Sequence, residues 1–358
     1  MLFDMRKAGS TIVGWVSPDN PRKPPAIKIV RPDKTTLTVS TNHFRPDVRD
    51  AGIHPTGQNG FLINAKLFPA LAPVLDRLEI VDETTGLLLY RPHDEKTHLP
   101  LKVFRLELQA MPYAQVETAW DRNFALYYSA VERHPFETLF TILNNPTTRS
   151  IALAGRPSFQ RYGALFRERD YKIVTFLRPP LEEMAERLLF LRYILTSEAA
   201  LEFRAHLWGL HPLALAVKGV DFEDRSSVLS FFSSLSFQQK GALENPMVKA
   251  LACNHNEAPR QHHVQLALTN LASLDVVGIS SRGAEYRQMM AELLSRDIYS
   301  DGIPKLPAAI KVIADSFAEI KPARELVALD IALFNLVESA VGRVLNASAA
   351  TMREAAGQ

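Results

Sequence analysis

The 358-residue sequence predicts an α/β protein: a parallel sheet flanked by helices, preceded by a small all-β sandwich. Three observations carry that expectation. Up to about Pro92 the apolar residues alternate with period two. From about Asn123 onward they recur at helical spacing. Between those helical stretches lie short β-branched runs, the pattern of strands alternating with helices.

The early strands read as "TIVGWV", "AIKIVR", "TTLTVST", "GFLINA", "RLEIVDE" and "LLLYRP". Within them Ile27 and Ile29, Leu37 and Val39, Phe61 and Ile63, and Leu78 and Ile80 each share one face. "SPDNPRKPP", "RPDK", "HPTGQNG" and "ETTG" supply the turns. The polar, Pro-flanked "RPHDEKTHLP" (Arg91 to Pro100) sets the boundary. Residues 1–95 are assigned to the β-sandwich domain, 96–122 to a linker and 123–358 to the α/β domain.

In the second part the expected strands are "NFALYYSAV", "SIALAG", "YKIVTFL" and "LDVVGI". Leu181, Met184, Ala185, Leu188, Leu191 and Leu195 mark one helix. Leu326, Leu329, Leu333, Leu336, Val337, Ala340 and Val344 mark another, after Pro322. Ligands of parallel sheets gather at the carboxyl ends of the strands, and Arg178 stands at such an end in "YKIVTFLRPPLEEMAERLLFLRYIL".

Composition narrows the function classes. Hydrophobic residues make up 47% and charged residues 22%, as in a globular domain. A net charge of +2 argues against a nucleic-acid footprint or a polybasic membrane patch. The single cysteine, Cys253, allows no intrachain disulfide, in keeping with a reducing compartment. The N-terminal apolar run is broken by Asp4, Arg6 and Lys7, so no signal peptide is read, and no stretch is long enough to span a bilayer. The expected location is the cytoplasm.

"FLRPPLEEMAERLLFLR" resembles the strand-to-helix segment of carbohydrate sulfotransferases that use 3′-phosphoadenosine 5′-phosphosulfate (PAPS). "HVQLALTNLASLDVVGISSRGAEYRQMMAELL" is similar to that family's later strand flanked by helices, and "ARELVALDIALFNLVESAV" to its C-terminal helix. The likeness covers roughly Asn123 to Val344. "GWVSPDNP", "FRPDVRDAGI" and "GQNGFLI" resemble a β-domain found beside bacterial glycan-modifying enzymes. Together they imply a sulfotransferase-like fold related to that of P-loop nucleotide-binding proteins, in bacterial surface-polysaccharide metabolism. The implied partners are a glycan or glycan-assembly proteins, with neither nucleic acid nor a membrane span. The oligomeric state is left open.

The family chemistry needs a phosphate-binding loop with a Lys, an Arg and a Ser on the 3′-phosphate, and a base for the acceptor hydroxyl. The resemblance places the loop at "SAVERHPFETLF" (Ser129 to Phe140). Arg133 would replace the Lys, Thr138 would supply a hydroxyl, and His134 or Glu137 would stand in as base. Phe136 and Glu137 fall where backbone should approach a phosphate, and Arg156 stands at the usual His. Arg178 is retained for the 3′-phosphate, but Glu186 replaces the Ser. A carboxylate there repels the donor, or pairs with Arg178 or Arg187 and neutralises the pocket without a ligand. Two expectations stand together: a family member whose donor use is lost or altered, and an active PAPS-dependent sulfotransferase acting on a carbohydrate hydroxyl.

Other polar residues have plainer readings. Glu182 and Glu183 suit the dipole of a first helical turn. Cys253, His255, His262 and His263 match no common zinc spacing, and no metal is expected. Asp330 reads as a structural hydrogen-bond acceptor. Trp15, Arg45 and Asp47 read as packing and turn residues.

Overall fold

The computed structural model describes residues 1–20, 25–109, 111, 113–198, 210–254 and 256–356, with the backbone alone for 344–356. Eight short strands open the chain: β1 (Leu2–Ala8), β2 (Thr11–Ser17), β3 (Ala26–Val30), β4 (Thr36–Ser40), β5 (His43–Phe44), β6 (Gln58–Ile63), β7 (Glu79–Asp82) and β8 (Leu88–Tyr90). They form two four-stranded sheets, β1-β2-β6-β5 and β4-β3-β7-β8, with antiparallel pairing. Ile27, Ile29, Ile63 and Ile80 are all buried, as their alternation implies. Leu37 and Val39 are half-buried, because β4 is an edge strand.

Five further strands build a parallel sheet flanked by helices: β9 (Lys102–Leu106), β10 (Leu126–Tyr128), β11 (Ile151–Gly155), β12 (Lys172–Leu177) and β13 (Val276–Ile279). Their order is β10-β11-β9-β12-β13. Two expected strands, β11 and β12, lie inside this sheet, and every residue of β11 is buried.

The chain divides into two compact units. The first comprises Met1–Arg105, Glu117–Gly155 and Leu165–Lys172, and the second Leu106–Val116, Arg156–Ala164 and Ile173–Gln358. In the first, Phe104 stacks on Phe166 with centroids 3.9 Å apart, and Trp120 stacks on Phe124. In the second, the helices Pro180–Thr196, His211–Val217, Arg225–Ser234 and Ala308–Ala318 share a core around Leu188, Phe232 and Phe317.

Two sequence expectations need correction. Residues 96–122, read as a linker, hold β9 and most of the helix Ala114–Asn123, and β9 is the middle strand of the five. Arg105 hid it, because a charge inside an apolar run reads as loop. That guanidinium is buried, paired with Glu117 and donating to the Tyr127 hydroxyl at 3.1 Å. Arg91, taken as part of the boundary, is likewise tied down, at 2.8 Å to Glu79 and 2.9 Å to Asp121. The second correction is β1. Its charges disqualified a signal peptide, yet they alternate with Phe3 and Met5, which are buried, and the segment pairs with β2 along its whole length.

Close approach fixes one glycine of β13. A Cβ on Gly278 would stand 2.2 Å from Cδ2 of Tyr286 and 2.8 Å from Cδ2 of Phe176. Those rings pack on one another with centroids 4.8 Å apart. Gly278→Ala is therefore expected to destabilise the protein by about 1–3 kcal/mol through overpacking. Urea denaturation would read this as a lower midpoint at unchanged slope.

Candidate functional site

Arg178 follows the last residue of β12 directly, and Pro179 caps the helix Pro180–Thr196. Pro180 suits the first helical turn, where its missing N–H leaves no hydrogen bond unmade. The strand end thus points Arg178 at the start of that helix. Glu183 and Glu186 lie three residues apart, on one helical face. Arg178, Glu183 and Glu186 are 3%, 3% and 7% exposed.

These three groups and Tyr113 form one cluster. Arg178 Nε lies 2.6 Å from Glu183 Oε1, and Nη2 lies 3.2 Å from Glu186 Oε2. The N–H vectors are misaligned with those oxygens, so the contacts are Coulombic and not hydrogen-bonded. Tyr113 closes the ring of contacts. Its hydroxyl accepts from Arg178 Nη1 at 3.1 Å and donates to Glu186 Oε1 at 2.8 Å. The guanidinium carbon also sits 5.3 Å from the Tyr113 ring centroid. Burial works against the Arg178 charge, but the Glu183 and Glu186 carboxylates outweigh it, and the group holds its proton even more firmly than usual. Burial, chiefly, pushes the Tyr113 hydroxyl up to about 12. One turn along the helix, Arg187 is buried and brought down to about 10 by burial and by Arg156, and it donates to the Ala242 carbonyl at 3.1 Å.

Of the two alternatives for Glu186, pairing with Arg178 is the one realised. Glu183 shares that role, so dipole matching alone does not explain it. Tyr113 was missed, since it lies in the stretch read as linker, 65 residues from its partner. These groups do not fit a 3′-phosphate. The arginine meant for the anion already faces two carboxylates, and a third partner occupies its remaining edge.

The other expected site residues belong to the first unit. The helix Phe136–Leu143 begins as expected and carries Thr138 in its first turn. Thr138 is buried, however, and its hydroxyl accepts from the Met1 amino group at 2.7 Å, so it is not presented to a ligand. His134 is half-buried, and burial lowers its basicity. Glu137 is exposed, and Arg133 ends the short 3-10 turn Val131–Arg133. These four follow β10, an edge strand, whereas the strands beside β12 are β9 and β13. Arg133, His134, Glu137 and Thr138 thus belong to the first unit, and Arg178 and Glu186 to the second.

A cleft of about 1360 Å³ opens in the second unit beside Arg178. It is lined from the ends of β12 and β13 by Phe176 and Ser280, and from facing segments by Glu182, Asp301, Lys305 and Lys311. Burial raises the Glu182 carboxyl, and Lys311 pulls in the opposite direction.

Asp330 makes the structural hydrogen bonds expected of it, accepting from the backbone N–H of Met247 at 3.0 Å and Val248 at 2.8 Å. Cys253 is buried, with its thiol pushed up to about 11 chiefly by burial. His255 lies outside the described residues, and among the described ones no group of His, Cys, Asp and Glu is placed to hold a metal. Arg45 and Asp47 pair with each other at 2.6 Å at the start of the short helix Pro46–Asp50, and Trp15 is buried. Among the described residues no helix is long and apolar enough to cross a membrane.

No protein-family model matches the chain, and no curated protein sequence matches it either.

Proposed function

We propose that this chain is a sulfotransferase-like protein of bacterial surface-polysaccharide metabolism whose PAPS site is closed from within, so that it acts on or beside glycans without using that donor. One observation carries the reading: Arg178, at the carboxyl end of an inner parallel strand, is ion-paired with Glu183 and Glu186 and donates to Tyr113. Two unit charges ~4 Å apart at an effective dielectric of ~20 interact by about 4 kcal/mol. A phosphate entering the cluster meets that repulsion from Glu186 and must also displace contacts already made. The sheet order, with β9 between β11 and β12, supports the P-loop-like fold as a likeness of architecture only. The competing reading is an active PAPS-dependent sulfotransferase acting on a carbohydrate hydroxyl. The cleft beside Arg178 favours it, being large enough for a nucleotide.

Calorimetric titration with 3′-phosphoadenosine 5′-phosphate separates the two. The native protein is expected to bind it weakly or not at all. Glu186→Ser removes one of the two carboxylates and is expected to gain at least about tenfold in affinity. Micromolar or tighter binding by the native protein would overturn the closed-site reading and restore the active transferase.

A further inference from the structure

The cleft has properties that the Arg178 cluster does not explain. Eight of its twenty lining residues are charged, four acidic and four basic. Several of these are spent on each other or on neighbours. Arg287 pairs with Asp297 at 2.5 Å, Glu285 with Arg282 at 3.4 Å, and Arg178 is held as described. Lys305 and Lys311 are exposed to the cleft and, among the described residues, have no carboxylate within ion-pair distance. Glu182 and Asp301 likewise make no hydrogen bond or ion pair among the described residues. The cleft thus offers two ammonium groups, two carboxylates and the Ser280 hydroxyl for a ligand. The first turn of the helix Gly283–Leu294 lines it too, through Gly283 and Ala284, and adds a positive end.

Small-molecule pockets are generally apolar with a few polar groups. A cleft with this lining suits instead a ligand that is polar over most of its surface. The ammonium groups call for an anion, while the carboxylates call for donors such as hydroxyls. Phe176, Ile303, Pro304 and Leu306 add apolar lining that suits the C–H face of a ring.

We propose that this cleft binds a sugar bearing a carboxylate or a phosphate, its anion held by Lys305 and Lys311 and its hydroxyls donated to Glu182 and Asp301. The inference deepens the glycan part of the reading above and rests on it. It does not depend on whether the donor site is closed, because it uses cations that Arg178 does not supply.

The test is calorimetry on the full chain with four probes: digalacturonic acid, glucose 1-phosphate, the neutral disaccharide lactose, and inorganic phosphate. At least one charged sugar is expected to bind, at least about tenfold more tightly than lactose and than inorganic phosphate. The double substitution Lys305→Ala and Lys311→Ala is expected to weaken that binding at least about tenfold. Both lysines are exposed, so the variant should melt like the native protein. Glu182→Gln with Asp301→Asn should weaken the charged sugar more than inorganic phosphate, since only the sugar carries hydroxyls. Which charged sugar binds separates carboxylate from phosphate recognition. The proposal is overturned if neither charged sugar binds at millimolar concentration, if lactose or inorganic phosphate binds as tightly, or if the double lysine variant binds unchanged. The two readings fail separately: tight binding of 3′-phosphoadenosine 5′-phosphate by the native protein overturns the donor reading alone, and failure of both charged sugars to bind overturns this one alone.

Discussion

Arg178→Met is expected to destabilise the protein by about 3–5 kcal/mol, the usual cost of removing one partner from a buried ion pair. Arg178 is 3% exposed and faces two carboxylates, both themselves buried. Taking the cation away leaves Glu183 and Glu186 without it in a site largely shielded from water. The direction of this effect separates two designs. An arginine held ready for a ligand, with no internal partner, is an uncompensated buried charge, and replacing it should leave stability unchanged or raise it. An arginine already neutralised within the fold should lower stability when lost. The triple variant Arg178→Met, Glu183→Gln, Glu186→Gln removes all three charges together and is expected to recover most of the loss, because a buried ion pair contributes little net stability over a neutral replacement. Urea denaturation of the native, single and triple forms reads this directly. A single variant as stable as the native protein would show that the cluster is not an internal ion pair.

The sequence made that cluster half legible. A β-branched run closed by Arg-Pro-Pro and followed by a leucine-periodic stretch has one physical solution, a strand turning into a helix, so Arg178 could be placed at the strand end. The spacing of Glu183 and Glu186 put them on one face, and pairing of Glu186 with Arg178 was among the readings it allowed. Tyr113 was out of reach, since no local period links it to residues 65 positions away. The central strand was lost for a related reason. Arg105 breaks the apolar run of β9 because its partners, Glu117 and Tyr127, are supplied by later segments. Local patterns identify buried positions when these are apolar, whereas a buried charge is recognisable only with its partner in view. With β9 taken for linker, the first visible strand of the sheet was β10, and the donor loop was expected after it. The cleft was illegible for another reason: its lysines, Lys305 and Lys311, lie in surface segments that read as solvated charge.

Native stability is expected to fall as pH rises from about 5 to about 7.5, with Asp330 as a principal cause. The carboxyl is fully buried, and burial pushes it up to about 7 despite two backbone N–H donors. In the unfolded chain an aspartate titrates near ~3.9. Below that value both states are protonated and the group favours neither. Between the two values the folded protein keeps a proton that the unfolded chain has released, so raising the pH favours unfolding. Above the folded value both are ionised and the loss is complete. The stabilising contribution is therefore present at acid pH and lost as pH rises through about 7. The position makes the effect global. Asp330 caps the start of the helix Pro246–Ala252, while the Asn245 side chain accepts from the N–H groups of Leu329 and Asp330, at the start of the helix Ala328–Ala356, at 2.8 and 3.1 Å. Each helix start is thus capped from the other, and loosening one exposes both. Asp330→Asn keeps one acceptor oxygen but turns an amide N–H₂ toward the second backbone donor, which should cost about 1–3 kcal/mol at pH 5. It cannot ionise, so its stability should change less with pH, and the gap to the native protein should narrow toward pH 8. Urea midpoints across this range test the account. A native protein that gains stability through the window, or a variant with the same slope, would show that Asp330 is ionised throughout and held by its two N–H donors.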